Sequence, residues 1–241
     1  MIHMPLHLSK NGDGLEVRRP MRGRVRVLRR VGSGLSMILA PLLFLVSSAL
    51  GPPHSASRRL ADPLPHIAAD PDRFLAFALV SLLSLALFVP AVLGVAHLLQ
   101  QRRPLAALAG ASLAVVGLLC LAVIQGIQLV QHQMVHPAAD RQQMVALLQR
   151  LEGGIALKFI FGGLLVGLFL GWVILSAALF ATRVVPRAIP ASILVSLVIN
   201  FVGLEMLSRL VFLIGLGWLG FVVLVRRDDA WVAAETDGGR P

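Results

Sequence analysis

Long apolar runs constrain the fold of this chain more than any other feature of its sequence. Most of them approach or exceed the roughly 20 apolar residues that a helix needs to cross a bilayer. A transmembrane β-barrel would instead show segments of about ten residues with alternating polarity and aromatic girdles, whereas this sequence has no Tyr and only 6% aromatic residues. The runs predict an all-α, polytopic transmembrane helix bundle of about six spans, at residues 33–52, 74–100, 105–131, 155–182, 188–205 and 207–225.

Composition agrees with a membrane protein. A chain of 241 residues with 57% hydrophobic and 14% charged residues has too much apolar surface for one water-soluble core. The stretch 188–225 is too long for one span, and Glu205 and Arg209 lie near its middle. Because ionised side chains are costly at the bilayer centre, we place a turn there; a chain of five spans is the alternative.

The basic residues predict the orientation. Most of the 22 Lys and Arg residues lie in the amino-terminal segment and in every second connection, and the positive-inside rule places these segments in the cytoplasm. Both termini are therefore predicted to be cytoplasmic, with a basic tail at 1–30, a six-helix transmembrane domain at 31–226 and a second tail at 227–241. The net charge of +10 is interpreted as a topology signal, so the expected partner is the lipid bilayer and not a nucleic acid.

The first span has two interpretations. Residues 34–50 follow a basic segment and resemble a signal peptide. Pro41 within the run and the lack of a clean small-x-small cleavage site favour an uncleaved first helix, and cleavage stays open.

The two outer segments differ in their predicted structure. Four Pro residues between 53 and 72 predict an irregular loop. In the second segment, Asp140 and Gln143 have capping-box spacing, and apolar residues recur on one face. We predict a short amphipathic helix at 140–152 on the outer interface.

Polar residues inside the apolar runs are the best guide to function, because each needs a partner or water. They concentrate in the outward halves of the spans and predict a ligand pocket open to the outer face. Lysine can also snorkel to the interface, Glu205 can pair with Arg209, and glutamines can join helices, so the same residues fit a purely structural role. The predicted lining is Gln125, Gln128, His132, Lys158, Asn200 and Glu205.

Two histidines near the outer surface have a spacing that suits a metal. His132 and His136 are four residues apart and can present two imidazoles on one helix face. A third or fourth ligand would have to come from the outer segments, which supply His54, His66, Asp62, Asp70, Asp72 and Asp140. Since a hydrated surface explains the pair equally well, we predict no metal, no cofactor and no catalytic residue. A metal-dependent membrane hydrolase remains an alternative.

Gly163, Gly167 and Gly171 form a stripe of small residues on one helix face. Such a stripe lets another backbone approach closely. The approaching backbone can belong to the same bundle or to a second copy in a homo-oligomer, and the sequence leaves both open.

The segment Leu179-Phe-Ala-Thr-Arg-Val-Val-Pro-Arg187 joins a Gly-rich span to a basic turn and another apolar run. It resembles a pattern in uncharacterised bacterial multi-pass membrane proteins of the domain-of-unknown-function type, over the last third of the chain. The resemblance implies a six-helix protein of the bacterial plasma membrane. The sequence as a whole predicts a non-enzymatic membrane protein whose outward polar pocket binds or passes a small ligand, or simply stabilises the bundle. A small-solute transporter is the main alternative, although the inner halves of the spans offer little polarity beyond His97.

Overall fold

The computed structural model describes residues 19–52, 60, 62–135 and 140–225. In this part of the chain the regular structure is helical, without a β-strand, which confirms the predicted all-α bundle. The helices are α1 (Arg19–Leu50), α2 (Leu64–Ala69), α3 (Pro71–Gln100), α4 (Pro104–Met134), α5 (Arg141–Gly153), α6 (Ile155–Leu164), α7 (Gly171–Thr182), α8 (Ala188–Phe201) and α9 (Glu205–Val225), with a π-helical segment at Leu165–Leu170 between α6 and α7.

Five helical stretches are long and apolar enough to cross a membrane, so the chain is a multi-pass integral membrane protein. The sixth apolar helix, α8, has 14 residues and rises only about 21 Å, less than the hydrocarbon core of about 30 Å. The five long stretches are Val27–Leu50, Pro71–Gln100, Pro104–Met134, Ile155–Thr182 and Glu205–Val225.

The turn between α8 and α9 confirms that the run 188–225 is divided. The helix ends at Phe201, four residues before the predicted end of that span, and Gly203 has a φ of 85°. Glycine adopts this left-handed conformation without the steric cost of a Cβ. Glu205 therefore begins a new helix rather than ending the previous one.

The spanning helices form a closed ring. α1 packs against α3 and α9, α3 against α4, and α4 against α6, the π-helical segment and α7, while α8 packs against α7 and α9. Apolar side chains from around the ring fill its core. Among the fully buried ones are Met37, Val92, Leu175, Ile193 and Leu216.

The glycine stripe packs against α4 within the chain. A Cβ at Gly167 would lie 2.7 Å from the backbone nitrogen of Gly117, and a Cβ at Gly171 would lie 2.5 Å from that of Ala114. The structure thus shows the stripe in contact within the chain, and a homo-oligomer through Gly163, Gly167 and Gly171 stays a prediction. We call this contact the glycine seam; its residues are Gly163, Gly167 and Gly171 on one side and Ala114, Gly117 and Cys120 on the other.

We name the two ends of the bundle outer and inner, after the predicted orientation. At the outer end, Arg73 at the start of α3 donates to the carbonyl oxygens of Ala49 (3.0 Å) and Leu50 (3.1 Å) at the end of α1. At the inner end, Arg102 in the α3–α4 connection donates to the carbonyl oxygen of Thr182 (2.9 Å) at the end of α7. These bonds join the helix ends that the topology predicts on the same side.

Helix α5 confirms the predicted helix in the second outer segment. Its range, Arg141–Gly153, follows the predicted 140–152 within one residue. The Asp140 carboxylate accepts hydrogen bonds from the backbone nitrogens of Gln142 (2.9 Å) and Gln143 (3.4 Å), as an N-cap residue does. The helix therefore begins at its predicted cap.

The loop predicted at 53–72 needs a correction. Part of it is helical, because α2 forms at Leu64–Ala69 and α3 already begins at Pro71. Proline is well tolerated in the first turn of a helix, where its missing N–H has no helical partner to lose. Prolines that were taken as loop markers thus start two helices. Residues 53–59 and 61, with His54 among them, lie outside the described residues.

The first helix also reaches further than predicted. α1 begins at Arg19, inside the segment 1–30 that was assigned to the basic tail. It carries Arg29 and Arg30 alongside α3 at the inner end. Residues 1–18 and 226–241 lie outside the described residues.

Candidate ligand-binding cavity at the outer end

A cavity of about 410 Å³ lies at the outer end of the bundle. Helices α1, α3, α4, α6 and α9 form most of its wall, and Glu152 of α5 completes the wall at the outer surface. The lining combines aromatic rings with serine, glutamine and charged side chains, so the cavity is amphipathic. Its chemistry depends on two polar groups, a stripe of glutamines on α4 and an arginine on α9.

The glutamine stripe consists of Gln125, Gln128 and Gln131, which recur every three residues on the cavity side of α4. The Gln131 amide donates to the carbonyl oxygen of Leu60 at 2.7 Å. In contrast, the amide oxygens of Gln125 and Gln128 are shielded from solvent and have no hydrogen-bond partner among the described residues. A buried acceptor without a partner costs about 1–3 kcal/mol. The wall therefore contains hydrogen-bonding capacity that the protein itself leaves unused.

Arg209 forms the second polar group, and its charge is already matched. Its guanidinium lies 3.2 Å from the Glu205 carboxylate, donates to the Ser48 hydroxyl and sits 4.7 Å from the centroid of the Phe44 ring. The Arg209 side chain is only 15% exposed, against 39% for Glu205. Arg209 thus joins α9 to α1 and lines the cavity as part of a neutral pair.

Aromatic side chains supply much of the apolar wall. Phe74 and Phe77 of α3 lie with ring centroids 5.5 Å apart. Phe44 of α1 contacts Phe88 edge-on at 6.1 Å, which ties the wall to the core below it. Phe161 of α6 lines the opposite side. The ring faces carry partial negative charge and attract cations as well as apolar groups.

The structure brings together only part of the six-residue pocket predicted from the sequence. Gln125 and Gln128 line the cavity. Lys158 and Asn200 have exposed side chains outside it; Asn200 is carried by α8, which packs against α7 and α9. Glu205 is not among the lining residues, but it pairs with Arg209, which is. The predicted lining is corrected accordingly.

His132, the sixth predicted residue, lies near the end of α4 and is half-buried. Its Nδ1 is 3.5 Å from the Gln133 amide nitrogen. His136 lies outside the described residues, and Asp140 serves as the cap of α5. Within the described part of the chain, no three His, Cys, Asp or Glu side chains come together as a metal site would require. The metal-dependent alternative stays a prediction without geometric support.

Sequence reasoning missed the role of Arg209 in the cavity. It assigned the residue to a surface pair with Glu205, which forms, but not to a contact with α1. An informative signal was present, since an arginine inside an apolar helix usually faces the bundle interior. The serines at 47 and 48, near the end of the first span, were a matching polar site on α1.

A second, larger cavity of about 670 Å³ lies at the inner end, between α1, α3 and α4. Its polar side chains include Arg29, Arg30, Ser33 and His97. The sequence analysis found only His97 in this half of the bundle. The two arginines were missed because they had been assigned to the tail rather than to the first helix.

Comparison of the chain with known proteins does not indicate a family or a function for it. The resemblance of segment 179–187 to uncharacterised bacterial multi-pass proteins stays a prediction, and function is argued from the two cavities. No family model matches the chain, and no curated protein or solved structure matches it either.

Proposed function

We propose that this integral membrane protein binds a small amphipathic molecule in the outer cavity. The ligand would have an apolar body and a cationic head that donates hydrogen bonds. The observation that carries the proposal is the pair of shielded, unpartnered amide oxygens of Gln125 and Gln128 in the cavity wall. Once the glutamine side chains turn these shielded oxygens toward the cavity, a donor-bearing ligand would relieve the cost of leaving them unpaired.

Charge favours a cationic head over an anionic one. Among the described lining side chains Arg209 is the basic residue, and it pairs with Glu205. Glu152 also lines the cavity, so these three described groups together sum to one negative charge. The faces of the phenylalanine rings add a further attraction for a cation. A carboxylate or phosphate ligand would meet repulsion from Glu152 instead.

The proposal also includes the orientation of the chain in the bilayer and the membrane in which it lies. The distribution of basic residues supports cytoplasmic termini, which opens the outer cavity to the side opposite the cytoplasm. The resemblance noted in the sequence supports the plasma membrane of a bacterium. A ligand would therefore enter from outside the cell or from the outer leaflet.

The proposal is tested by binding of three matched probes to the full chain in lipid nanodiscs. The probes are 2-phenylethylamine, 2-phenylethanol and phenylacetate, which share an aromatic body and differ in the head group. We expect the amine to bind most tightly, measured by calorimetry against empty nanodiscs. The double variant Gln125→Leu/Gln128→Leu should weaken amine binding by about tenfold, since two hydrogen bonds are lost.

Two further variants make this test specific. Glu152→Gln should reduce the preference for the amine over the alcohol, because it removes the cavity's excess negative charge. Asn200→Leu is the matched control, since it removes a polar side chain that is exposed outside the cavity. Equal binding of the three probes, or amine binding that the glutamine double variant leaves unchanged, would contradict the proposal.

A small-solute transporter is the second candidate, and one observation favours it. The outer and inner cavities are both lined by α1, α3 and α4, at opposite ends of the same helices. Met37, Leu85 and Phe88 belong to the buried core of the bundle. A transported solute would have to pass this core to move from one cavity to the other. Flux of the amine probe into proteoliposomes would favour transport over binding alone.

A further inference from the structure

We propose that the π-helical segment Leu165–Leu170 is a joint through which α6 turns about its axis by one residue, so that Lys158 replaces Leu157 in the wall of the outer cavity. We call the resulting arrangement the turned state. The turn itself concerns the fold alone, whereas its role, release of a bound cation, rests on the function proposed above.

The π-helical segment gives the fourth span one residue more than a continuous α-helix would hold between the same two ends. A π-type hydrogen bond joins residues five apart, whereas an α-type bond joins residues four apart. The span is α-helical at Ile155–Leu164 and at Gly171–Thr182, and it is π-helical between them. The segment contains no proline that would explain the change. Single π turns inside α-helices are frequent at functional sites.

The two helices on either side of the segment are held differently. In α7, the side chains of Trp172, Leu175 and Leu179 are buried in the core at 2% exposure or less. In α6, Leu157 is the buried residue, and Phe159 is 82% exposed. Conversion of the π-helical segment into α-helix should therefore turn α6 and leave α7 in place.

The turn would exchange the side chains that α6 presents to the outer cavity. An α-helix rotates by about 100° per residue, so the loss of one residue's worth of winding moves each residue of α6 into the place of the residue before it. Leu157 and Phe161 line the cavity in the structure. In the turned state Lys158 takes the place of Leu157, and Gly162 takes the place of Phe161. Two apolar side chains are thus exchanged for a lysine and a glycine.

Lys158 would enter a wall that has acceptors to offer. The amide oxygens of Gln125 and Gln128 have no hydrogen-bond partner among the described residues, and a lysine ammonium group has three donors. Lys158 would compete with a donor-bearing ligand for these amides, and its charge would repel a cationic head. In the structure its side chain is exposed outside the cavity. The turn therefore converts a site that accepts a cation into one that rejects it.

The contact between α6 and Cys120 of α4 can report the turn. A Cβ at Gly163 would lie 2.9 Å from the Cys120 sulfur, close enough for a disulfide, and Cys120 is the one cysteine of the chain. In the turned state Leu164 takes the place of Gly163. A Cβ at Gly162, on the other side, would meet nothing within 4 Å. Cysteines at these three positions therefore distinguish the two states.

The experiment measures disulfide formation with Cys120 in the full chain, in lipid nanodiscs under mild oxidation. The variants are Gly163→Cys, Leu164→Cys and Gly162→Cys. We expect Gly163→Cys to cross-link fastest, because the structure already places it against Cys120. Leu164→Cys should cross-link more slowly, through the turned state, and Gly162→Cys should stay reduced. Equal cross-linking of Gly162→Cys and Leu164→Cys would mean general flexibility of α6 and would overturn the joint.

Deletion of Val166, which is 54% exposed in the π-helical segment, is the control for the joint. It removes the extra residue, so a continuous α-helix then keeps Leu157 in the cavity wall. In this background Gly163→Cys should still cross-link, which also shows that the chain folds, whereas Leu164→Cys should lose its disulfide. Equal cross-linking of Leu164→Cys with and without Val166, or none in either background, would overturn the joint.

Lys158→Met tests the exchange of side chains. The disulfide of Leu164→Cys should form about tenfold more slowly in this background, because the turned state loses the hydrogen bonds of the lysine. 2-Phenylethylamine should slow the same disulfide in the chain that keeps Lys158, and Lys158→Met should bind the amine more tightly. Unchanged cross-linking and unchanged amine affinity in Lys158→Met would overturn the exchange. Failure of every form to bind the amine would contradict the function proposed for the outer cavity, and the disulfides would still decide whether α6 turns.

Discussion

The two ends of the bundle finish their helices in the same way but carry charge differently. Arg73 at the outer end and Arg102 at the inner end each donate to carbonyl groups at the end of a neighbouring helix. The last carbonyls of a helix have no partner within it, so both arginines satisfy acceptors that would otherwise face lipid head groups or apolar surface. Each end of the bundle therefore has a capping arginine of the same kind.

The charged side chains around these arginines differ between the two ends. At the outer end, Arg209 pairs with Glu205, and Glu152, Asp70 and Asp140 lie nearby along the surface segments. At the inner end, the described charged side chains are arginines, among them Arg29 and Arg30 in the cavity wall. The comparison teaches that the two cavities, although they are built on the same three helices, present different charged side chains: two arginines at the inner end, and Arg209 with Glu152 at the outer end.

The glycine seam packs α4 against α6, the π-helical segment and α7, between the two ends of the bundle. Its disruption should reduce the free energy of unfolding more than any other substitution predicted below. Gly167→Leu forces a side chain against the backbone of Gly117, which lies 2.7 Å from the position of the new Cβ. Overpacking of this kind costs about 3 kcal/mol when the backbone has to move. We expect a large fall in the melting temperature in detergent and weaker ligand binding at the outer cavity.

Gly162→Leu is the control for the seam, because a Cβ at Gly162 would meet nothing within 4 Å. It adds the same side chain five residues away on the same span and should change stability by about 0.5 kcal/mol or less. If the two variants unfold at the same temperature, the seam does not hold the ends together.

The sequence predicted those parts of the fold that depend on local pattern. The positions of the spans follow from the lengths of the apolar runs. Glu205 and Arg209 predict that the run 188–225 is divided, and Asp140 predicts where α5 begins. Each of these depends on residues that are close in sequence. The α1 start at Arg19 was missed because the prediction treated basic residues as tail, although arginine is a good helix former.

The candidate site was harder to predict, because helices that are apolar on every side do not reveal which face is buried. Lys158, Asn200 and Gln125 lie at similar predicted depths, but only Gln125 faces the cavity. The rotation of each helix about its axis is set by its neighbours, here by the glycine seam and by the packing of α8 against α9. Contacts of that kind join residues far apart in the sequence.

Removal of the ion pair between Arg209 and Glu205 should reduce the free energy of unfolding by less than disruption of the glycine seam does. Arg209→Met loses the contact with Glu205, the bond to Ser48 and the position over Phe44. Because Glu205 is 39% exposed and stays partly solvated, we expect a loss of about 1–2 kcal/mol in unfolding free energy, less than for a fully buried pair.

A double-mutant cycle with Glu205→Gln separates the ion pair from the other contacts of Arg209. The double variant should lose less than the sum of the two single losses, because each single substitution already removes the contact between Glu205 and Arg209. Arg150→Met, which removes an exposed arginine of α5, is the control and should have little effect. Additive effects of the two single substitutions would show that Glu205 and Arg209 are not coupled.

Substitution of the two capping arginines, Arg73 and Arg102, should change the free energy of unfolding least. These two substitutions compare the two ends of the bundle most directly. Arg73→Gln removes two bonds to helix carbonyls and Arg102→Gln removes one, each worth about 1 kcal/mol. The number of bonds alone therefore predicts half the cost for Arg102→Gln. At the outer end, Asp70 and Asp72 lie within three residues of Arg73 and attract its charge, whereas at the inner end Arg103 adjoins Arg102 and repels it. Arg102→Gln should therefore cost less than half as much as Arg73→Gln.

The dependence on ionic strength tests whether charge contributes to the difference in stability loss between Arg73→Gln and Arg102→Gln. Screening weakens the attraction lost at the outer end and the repulsion relieved at the inner end, so the gap between Arg73→Gln and Arg102→Gln should narrow as ionic strength rises. The measurement is the melting temperature of both variants in a neutral detergent at low and high salt. Arg103→Gln, which removes the neighbouring charge at the inner end, should be neutral or slightly stabilising. A gap that salt leaves unchanged, or a larger loss for Arg102→Gln, would mean that the two ends differ in packing rather than in charge.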